Sequence, residues 1–229
     1  MMRVVYAMTR NLYPCFKPTL TSLLEHNDVE KIYILAEDDH LPYPIPDMCE
    51  VVNVSGQKWF PKDGPNVNSI YTYMAMVRLC YPFIFPTERK LIQLDIDTII
   101  CDSLEPLWEI DLTDKWCAAC PEYESYYRPF GPEYYNVGVA VFNLEQMRRD
   151  DIVMTLIDEV NTVCYPCVEQ DVLNLYGLPR DKFVPIPVRY NESFCCGHTD
   201  NPAVVHYAGY RNWYDNWTMP YVEYLNKYR

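Results

Sequence analysis

A chain of 229 residues can bury one substantial core, and 49% hydrophobic content with ordinary charge argues against disorder. The formal net charge of −13 opposes long-range attraction to nucleic acid or anionic lipid, and no apolar run approaches membrane-spanning length. An anionic ligand would need local help here, from a divalent metal, a helix N-terminus or a few placed cations.

Arg3 to Met8 reads as a short buried strand without the pattern of a signal peptide, so a soluble, unsecreted, cytoplasmic chain is expected. A helix follows from about Pro14 to His26, where Phe16, Leu20, Leu23 and Leu24 share one face. Lys31 to Ala36 and Glu50 to Val54 have strand length and are separated by the proline-rich stretch Leu41 to Pro46. From Ser69 to Tyr81 the spacing of Ile70, Tyr73, Met74, Val77 and Leu79 predicts a buried helix ended by Pro82 and Pro86. Lys90 to Leu94 is a buried strand.

Gly138 to Asn143 predicts another strand, and Leu144 to Val163 a helix through Val153, Leu156, Ile157, Val160 and Val163. Glu169 to Tyr176 extends the helical region beyond Pro166. Phe183 to Asn201 reads as irregular, and Ala203 to Tyr207 as a short strand. Such alternation predicts an α/β fold with a largely parallel sheet, whose ligands gather beyond the carboxyl ends of the strands.

The ten cysteines are scattered. Cys117 and Cys120, and Cys164 and Cys167, have the CxxC spacing that a structural zinc site could use if the two pairs met. Their apolar flanks fit buried, reduced thiols in a cytosol better.

The sharpest chemical signal is the apolar strand Leu91 to Leu94 running into Asp95-Ile96-Asp97. In an extended segment both carboxylates project to one side, and buried like charges are costly without a cation beside them. Hard oxygen ligands favour Mn²⁺ or Mg²⁺, which share their remaining positions with water and substrate phosphates. The alternative is a pair of carboxylates that only accept bonds from turn backbone. His206, at the end of its own predicted strand, could complete the site and favour Mn²⁺, or serve as a hydrogen-bonded structural residue.

Six segments in order resemble glycosyltransferase family 8, which includes glycogenin and bacterial lipopolysaccharide galactosyl- and glucosyltransferases with a GT-A fold. They are the opening strand and helix ending in SLLEHN, the helix Tyr73 to Pro82, and LDIDTI with SLEPLW. YYNVGVAVFN, Glu169-Gln170-Asp171 with VLN, and HYAGYRNW from His206 to Trp213 complete the set. The resemblance implies one Rossmann-like GT-A domain over 1–229, a mostly parallel mixed sheet flanked by helices. Its nucleotide-binding part would cover about 1–110 and its donor-sugar and acceptor part 111–229.

Position by position, the resemblance implies Mn²⁺ on Asp95, Asp97 and His206, with Mg²⁺ as the other candidate, and a UDP-sugar donor. Ala7, Thr9 and Asn11 match the uracil and ribose region, and Ile96 would lie near the ribose through its backbone. Arg78 matches an arginine that reaches the donor sugar or phosphate, with a helix-surface ion pair as its alternative. Asn136 matches an asparagine that touches the sugar, or is a turn residue, and Gly138 permits close backbone approach. Gln170 resembles the residue on the reactive face of the anomeric carbon, Asp171 its neighbour that binds sugar hydroxyls, and Gly209 belongs to the terminal motif.

Three departures stand out. Thr9-Arg10-Asn11 lacks an acidic residue often found in that turn. Glu169 replaces an aspartate, and Arg211 stands as the nearest cation where a lysine is expected. The implied activity is retaining transfer of a hexose, glucose or galactose, to a glycan or other hydroxyl acceptor, either directly or through a covalent intermediate on Glu169 or Asp171. The aromatic segments Tyr123 to Phe130 and Tyr207 to Tyr221 could stack on sugar faces or pack locally. The readings from other classes are a noncatalytic nucleotide-sugar-binding protein and a metal-dependent nucleotide-sugar phosphohydrolase.

Overall fold

The computed structural model describes residues 1–123, 133–209 and 226–227. In chain order the elements are β1 (Met2–Ala7), α1 (Phe16–His26), β2 (Val29–Ala36), β3 (Cys49–Asn53), α2 (Thr72–Met76), α3 (Tyr81–Ile84), β4 (Lys90–Leu94) and β5 (Thr98–Ile100). There follow α4 (Glu105–Trp108), β6 (Cys117–Pro121), β7 (Tyr135–Asn143), α5 (Leu144–Arg149), α6 (Val153–Thr162), α7 (Val168–Gly177), β8 (Phe183–Pro185) and β9 (Val204–His206).

Among the described residues, seven strands form one sheet in the order β3-β2-β1-β4-β7-β6-β8. β1, β2, β3 and β4 run parallel, β7 is antiparallel to β4 and β6, and β8 pairs parallel with β6. This is the mostly parallel mixed sheet expected of a GT-A fold. Alternation along the strands divides the core: Val5, Leu35, Leu91 and Phe142 pack on one face, and Val4, Ile34, Ile92 and Val141 on the other. Burial on both faces explains why these strands read as apolar runs instead of alternating ones. No helix among the described residues is long and apolar enough to cross a membrane.

Two long predicted helices are interrupted. Between Ser69 and Tyr81 the chain forms only α2, then a 3₁₀ turn over Val77–Cys80, then α3. Pro82 has no N–H to give the Arg78 carbonyl, and its ring crowds that carbonyl; the Tyr81 N–H bonds there instead, in the tighter 3₁₀ pattern. The predicted Leu144–Val163 helix divides into α5 and α6 around Asp151, whose φ of 50° is left-handed. Asn143 caps α5 by accepting from the Gln146 N–H at 3.0 Å.

β5, α4 and β6 had no counterpart in the sequence reading. β6 is built on small residues, Cys117-Ala118-Ala119-Cys120, and β5 is three residues long, so neither leaves a periodic signal. The ten cysteines are free, and the two CxxC pairs do not converge.

Candidate metal centre

β4 ends at the two aspartates, and its neighbours hold the turn. The Asp95 N–H donates to the Gly138 carbonyl of β7 at 2.7 Å, and Thr98 Oγ1 donates to the Asp95 carbonyl at 2.7 Å. β5 then pairs antiparallel with β9, setting Thr98 opposite His206, while the Tyr207 N–H donates to the Asp97 carbonyl at 2.9 Å. A two-stranded ribbon thus carries a histidine 109 residues downstream of Asp97 back to the aspartate pair. His206 Nε2 lies 3.3 Å from Asp97 Oδ1 and 3.7 Å from Asp95 Oδ2.

One ligand atom from each of Asp95, Asp97 and His206 falls within 4.8 Å of the others. Among the described residues no other group of histidine, cysteine or acidic side chains does so. Two carboxylate oxygens and an imidazole nitrogen form a donor set suited to a divalent first-row ion. Gly138 shows how close the packing is, since a Cβ there would sit 2.3 Å from His206 Cε1 and 2.6 Å from Asp95 Oδ2. Its role in the cluster is to be absent of side chain.

Arg78 is buried and aims three nitrogens inward. Nη2 donates to Asp95 Oδ1 at 2.8 Å, Nη1 to the Val137 carbonyl at 3.1 Å, and Nε lies 3.1 Å from Glu169 Oε1. It is therefore no helix-surface ion pair. Gln93 Nε2 also donates to Asp95 Oδ1, at 3.0 Å, and the Tyr81 hydroxyl holds the far end of the Gln93 amide. Burial pushes the Asp95 carboxyl up, and Asp97 adds to that against the pull of Arg78. Burial pushes Asp97 up as well, but His206, with a backbone hydrogen bond and the Arg78 charge, holds it low, and the carboxylates in turn raise His206 against its own burial. Burial raises Glu169 to about 7, with Arg78 opposing. Asp95 and Glu169 thus share one guanidinium, while Asp97 is paired with His206, an arrangement short of positive charge.

A second polar cluster adjoins the first. Gln170 Oε1 accepts the Val137 N–H at 3.0 Å, and Gln170 Nε2 reaches Glu122 Oε1 at 3.1 Å and the Tyr134 hydroxyl at 3.0 Å. Asn136 Nδ2 donates to the same Glu122 oxygen at 2.9 Å. Asp171 is buried, with the Tyr134 hydroxyl on one oxygen at 2.5 Å and the Cys167 N–H on the other at 2.8 Å. The helix carrying Glu169, Gln170 and Asp171 starts at Val168, whose φ of 48° is unusual for a β-branched residue.

The sequence profile of glycosyl transferase family 8 matches residues 47–216, a stretch that holds every one of these side chains. The chain belongs to that family. It is 32% identical over 114 residues to a putative glycosyltransferase of Haemophilus influenzae, covering 45% of this chain and 34% of the relative. It is 27% identical to the glycosyltransferase GlyE of Streptococcus pneumoniae, covering 81% of this chain and 45% of the relative. The chain thus spans less than half the length of these curated relatives. Among solved structures, the galactosyltransferase LgtC in complex with donor and acceptor sugar analogues superposes with a TM-score of 0.74 at 21% identity. That match covers 99% of this chain and 96% of LgtC. At that identity the superposition speaks for the fold.

The other residues that the family 8 resemblance singled out lie as follows. Ala7 ends β1, beside the carboxyl end of β4, and Thr9 donates to Asn11 Oδ1 at 2.5 Å in the turn beyond it. Ile96 is buried between the aspartates, and Gly209 has a φ of 80°. Arg211 lies outside the described residues, as do 124–130 and 210–221 of the aromatic segments. The sequence reading missed Gln93, Glu122, Tyr134 and Asn191. Gln93 carried a signal, a polar residue inside an apolar strand, and Tyr134 opens the YYNVGVAVFN segment; Glu122 and Asn191 stand in segments without periodicity.

Proposed function

We propose that the chain is a retaining, Mn²⁺-dependent glycosyltransferase that moves a hexose, glucose or galactose, from a UDP-sugar to a glycan or other hydroxyl acceptor. The observation that carries this reading is the convergence of Asp95, Asp97 and His206 at the carboxyl end of β4, in a family 8 chain. These three would hold the ion, and the imidazole favours Mn²⁺ over Mg²⁺. Bound there, the ion supplies positive charge against the diphosphate of the departing UDP.

The protein groups do the positioning. Arg78 orients Asp95 and spreads its charge over the donor side of the site. Ala7, Thr9 and Asn11 would hold the base and ribose with the backbone of Ile96. Asn136 and Gly138 would face the donor sugar, and Gly209 and Arg211 the diphosphate. The ion site draws on both the nucleotide-binding part, about 1–110, and the sugar-binding part, 111–229. The free cysteines support a reducing, cytoplasmic setting.

Retention by same-face substitution fits better than a covalent intermediate. Glu169 is ion-paired with Arg78, both oxygens of Asp171 are occupied, and the amide of Gln170 is no strong nucleophile. The leaving phosphate then takes the acceptor proton while Gln170 lines the reactive face. Metal-dependent release of UDP from a panel of UDP-sugars, by wild type and by Asp95→Ala/Asp97→Ala, tests the class and names the sugar. Turnover of one donor, lost in the variant, is the expected result; release of sugar phosphate in place of UDP would overturn it in favour of a phosphohydrolase.

A further inference from the structure

Asn191 lies just after a 3₁₀ turn (Val188–Tyr190), is fully buried, and is engaged at both ends of its amide. Oδ1 is 2.8 Å from His206 Nδ1, and Nδ2 is 3.0 Å from Asn136 Oδ1. An amide can be turned over without changing shape, so its partners must say which end is oxygen. Here the partners begin from two groups that leave no choice. The backbone N–H of Gly138 can only donate, and it meets Asn136 Oδ1 at 3.0 Å. At the other end of that amide, 2.9 Å from Nδ2, stands a carboxylate oxygen of Glu122, an acceptor.

Asn136 therefore turns its oxygen to Asn191, which must meet it with NH₂ and so presents its own oxygen to His206. An oxygen there requires a proton on Nδ1. Nε2 is left as the ligating nitrogen, on the side where Asp97 and Asp95 stand. The segment is placed for this by the backbone: Glu192 bonds both the Val204 carbonyl, at 2.9 Å, and the His206 N–H, at 2.8 Å, so Asn191 rides alongside β9.

We propose that Asn191 is a positioning residue that fixes the tautomer and ring plane of His206 so that Nε2, and not Nδ1, serves as the metal ligand. Through Asn136 and Glu122 the same chain of bonds ties that ligand to Gln170. The inference rests on the metal reading of the Asp95, Asp97 and His206 cluster. Partners of this kind on the second nitrogen of a ligating histidine typically contribute about 10–100-fold to metal affinity.

The test is Mn²⁺ binding by the full chain without nucleotide, read by electron paramagnetic resonance, for wild type, Asn191→Ala, Asn191→Asp and His206→Ala. Asn191→Ala is expected to bind roughly 10–100-fold more weakly, and Asn191→Asp, which keeps an acceptor toward Nδ1 but sets an oxygen against Asn136 Oδ1, to fall between that variant and wild type. Thermal midpoints in chelator identify any variant that fails to fold. In that event the wild type decides alone: with Cd²⁺ bound, ¹⁵N spectra should show His206 protonated at Nδ1 and coordinated through Nε2. Coordination through Nδ1, or a folded Asn191→Ala that binds as tightly as wild type, overturns this inference only. A wild type that holds no Mn²⁺, or holds it equally well without His206, overturns the metal reading itself.

Discussion

Two clusters of partly buried carboxylate sit at opposite ends of the central strands, and they are built on opposite principles. At the amino end of β4, Asp150 closes α5 and is fully answered. Trp116 Nε1 reaches it at 2.6 Å, Gln146 Nε2 at 2.7 Å and Lys182 Nζ at 2.7 Å. At the carboxyl end, Asp95 and Glu169 share Arg78, and His206 faces both Asp95 and Asp97. Asp150 is consequently held below the usual carboxylate range, its hydrogen bonds outweighing its burial, whereas Asp95 is raised. A satisfied buried charge marks structure, and an unbalanced cluster marks a place prepared for a ligand.

The largest expected effect is at the unbalanced end. Asp95→Ala/Asp97→Ala should lower turnover on the order of 10³-fold or more, a loss of the size seen when charge stabilisation at a reaction centre is removed. Its unfolding free energy in chelator should stay close to that of wild type, because relief of the raised Asp95 carboxyl is set against the partners lost to Arg78 and His206. A clear loss of apo stability would show that the aspartates serve the fold and would erase the contrast with Asp150.

Gly138→Ala follows. Its Cβ would meet His206 and Asp95 well inside contact distance, so turnover and Mn²⁺ affinity should both fall about 10²-fold. Unchanged Mn²⁺ affinity in calorimetry would mean that the cluster is looser than the packing indicates. Saturating metal should then stabilise wild type by about 2.7 kcal/mol at 100 times the dissociation constant, read as a shift in denaturant midpoint that the double aspartate variant lacks.

At the satisfied end the signs reverse. Asp150→Asn should cost about 1–2 kcal/mol of stability at pH 7 and leave turnover unchanged. A carboxyl depressed in the folded state contributes stability above its unfolded pKa of about 3.9 and loses it as pH falls through the folded value. The gap between wild type and Asp150→Asn should therefore be flat from pH 7 to about 5 and narrow below about 4. A gap that widens in acid would contradict the assignment. The smallest effect is expected at Glu145, whose pairs with Arg89 and Arg149 are on the surface; Glu145→Gln should unfold at the wild-type midpoint.

The parallel half of the sheet was legible because strands buried on both faces leave apolar runs, and proline and polar stretches mark their ends. β6 was not, since Ala118 and Ala119 leave little hydrophobic signal, and the helix predicted from Ser69 lost its continuity to Pro82. Of the candidate site, Asp95 and Asp97 announced themselves as charges at the end of an apolar strand. His206 was legible as a histidine at a strand end, but its distance from Asp97 is set by the β5 and β9 pairing, which no local pattern encodes.

What the sequence by itself determined is therefore the α/β class, the acidic pair and the identity of the residues in the family motifs, because these follow from local pattern and residue chemistry. Tertiary structure alone decided that Gly138 must lack a side chain to admit His206, and that Arg78 is buried against Asp95 and Glu169. It also set Asn191, Asn136, Glu122 and Gln170 in one hydrogen-bonded line. The physical reason is common to all three: a hydrogen bond or a steric limit depends on atoms a few ångströms apart, and here those atoms come from segments separated by tens of residues, joined only when the sheet closes.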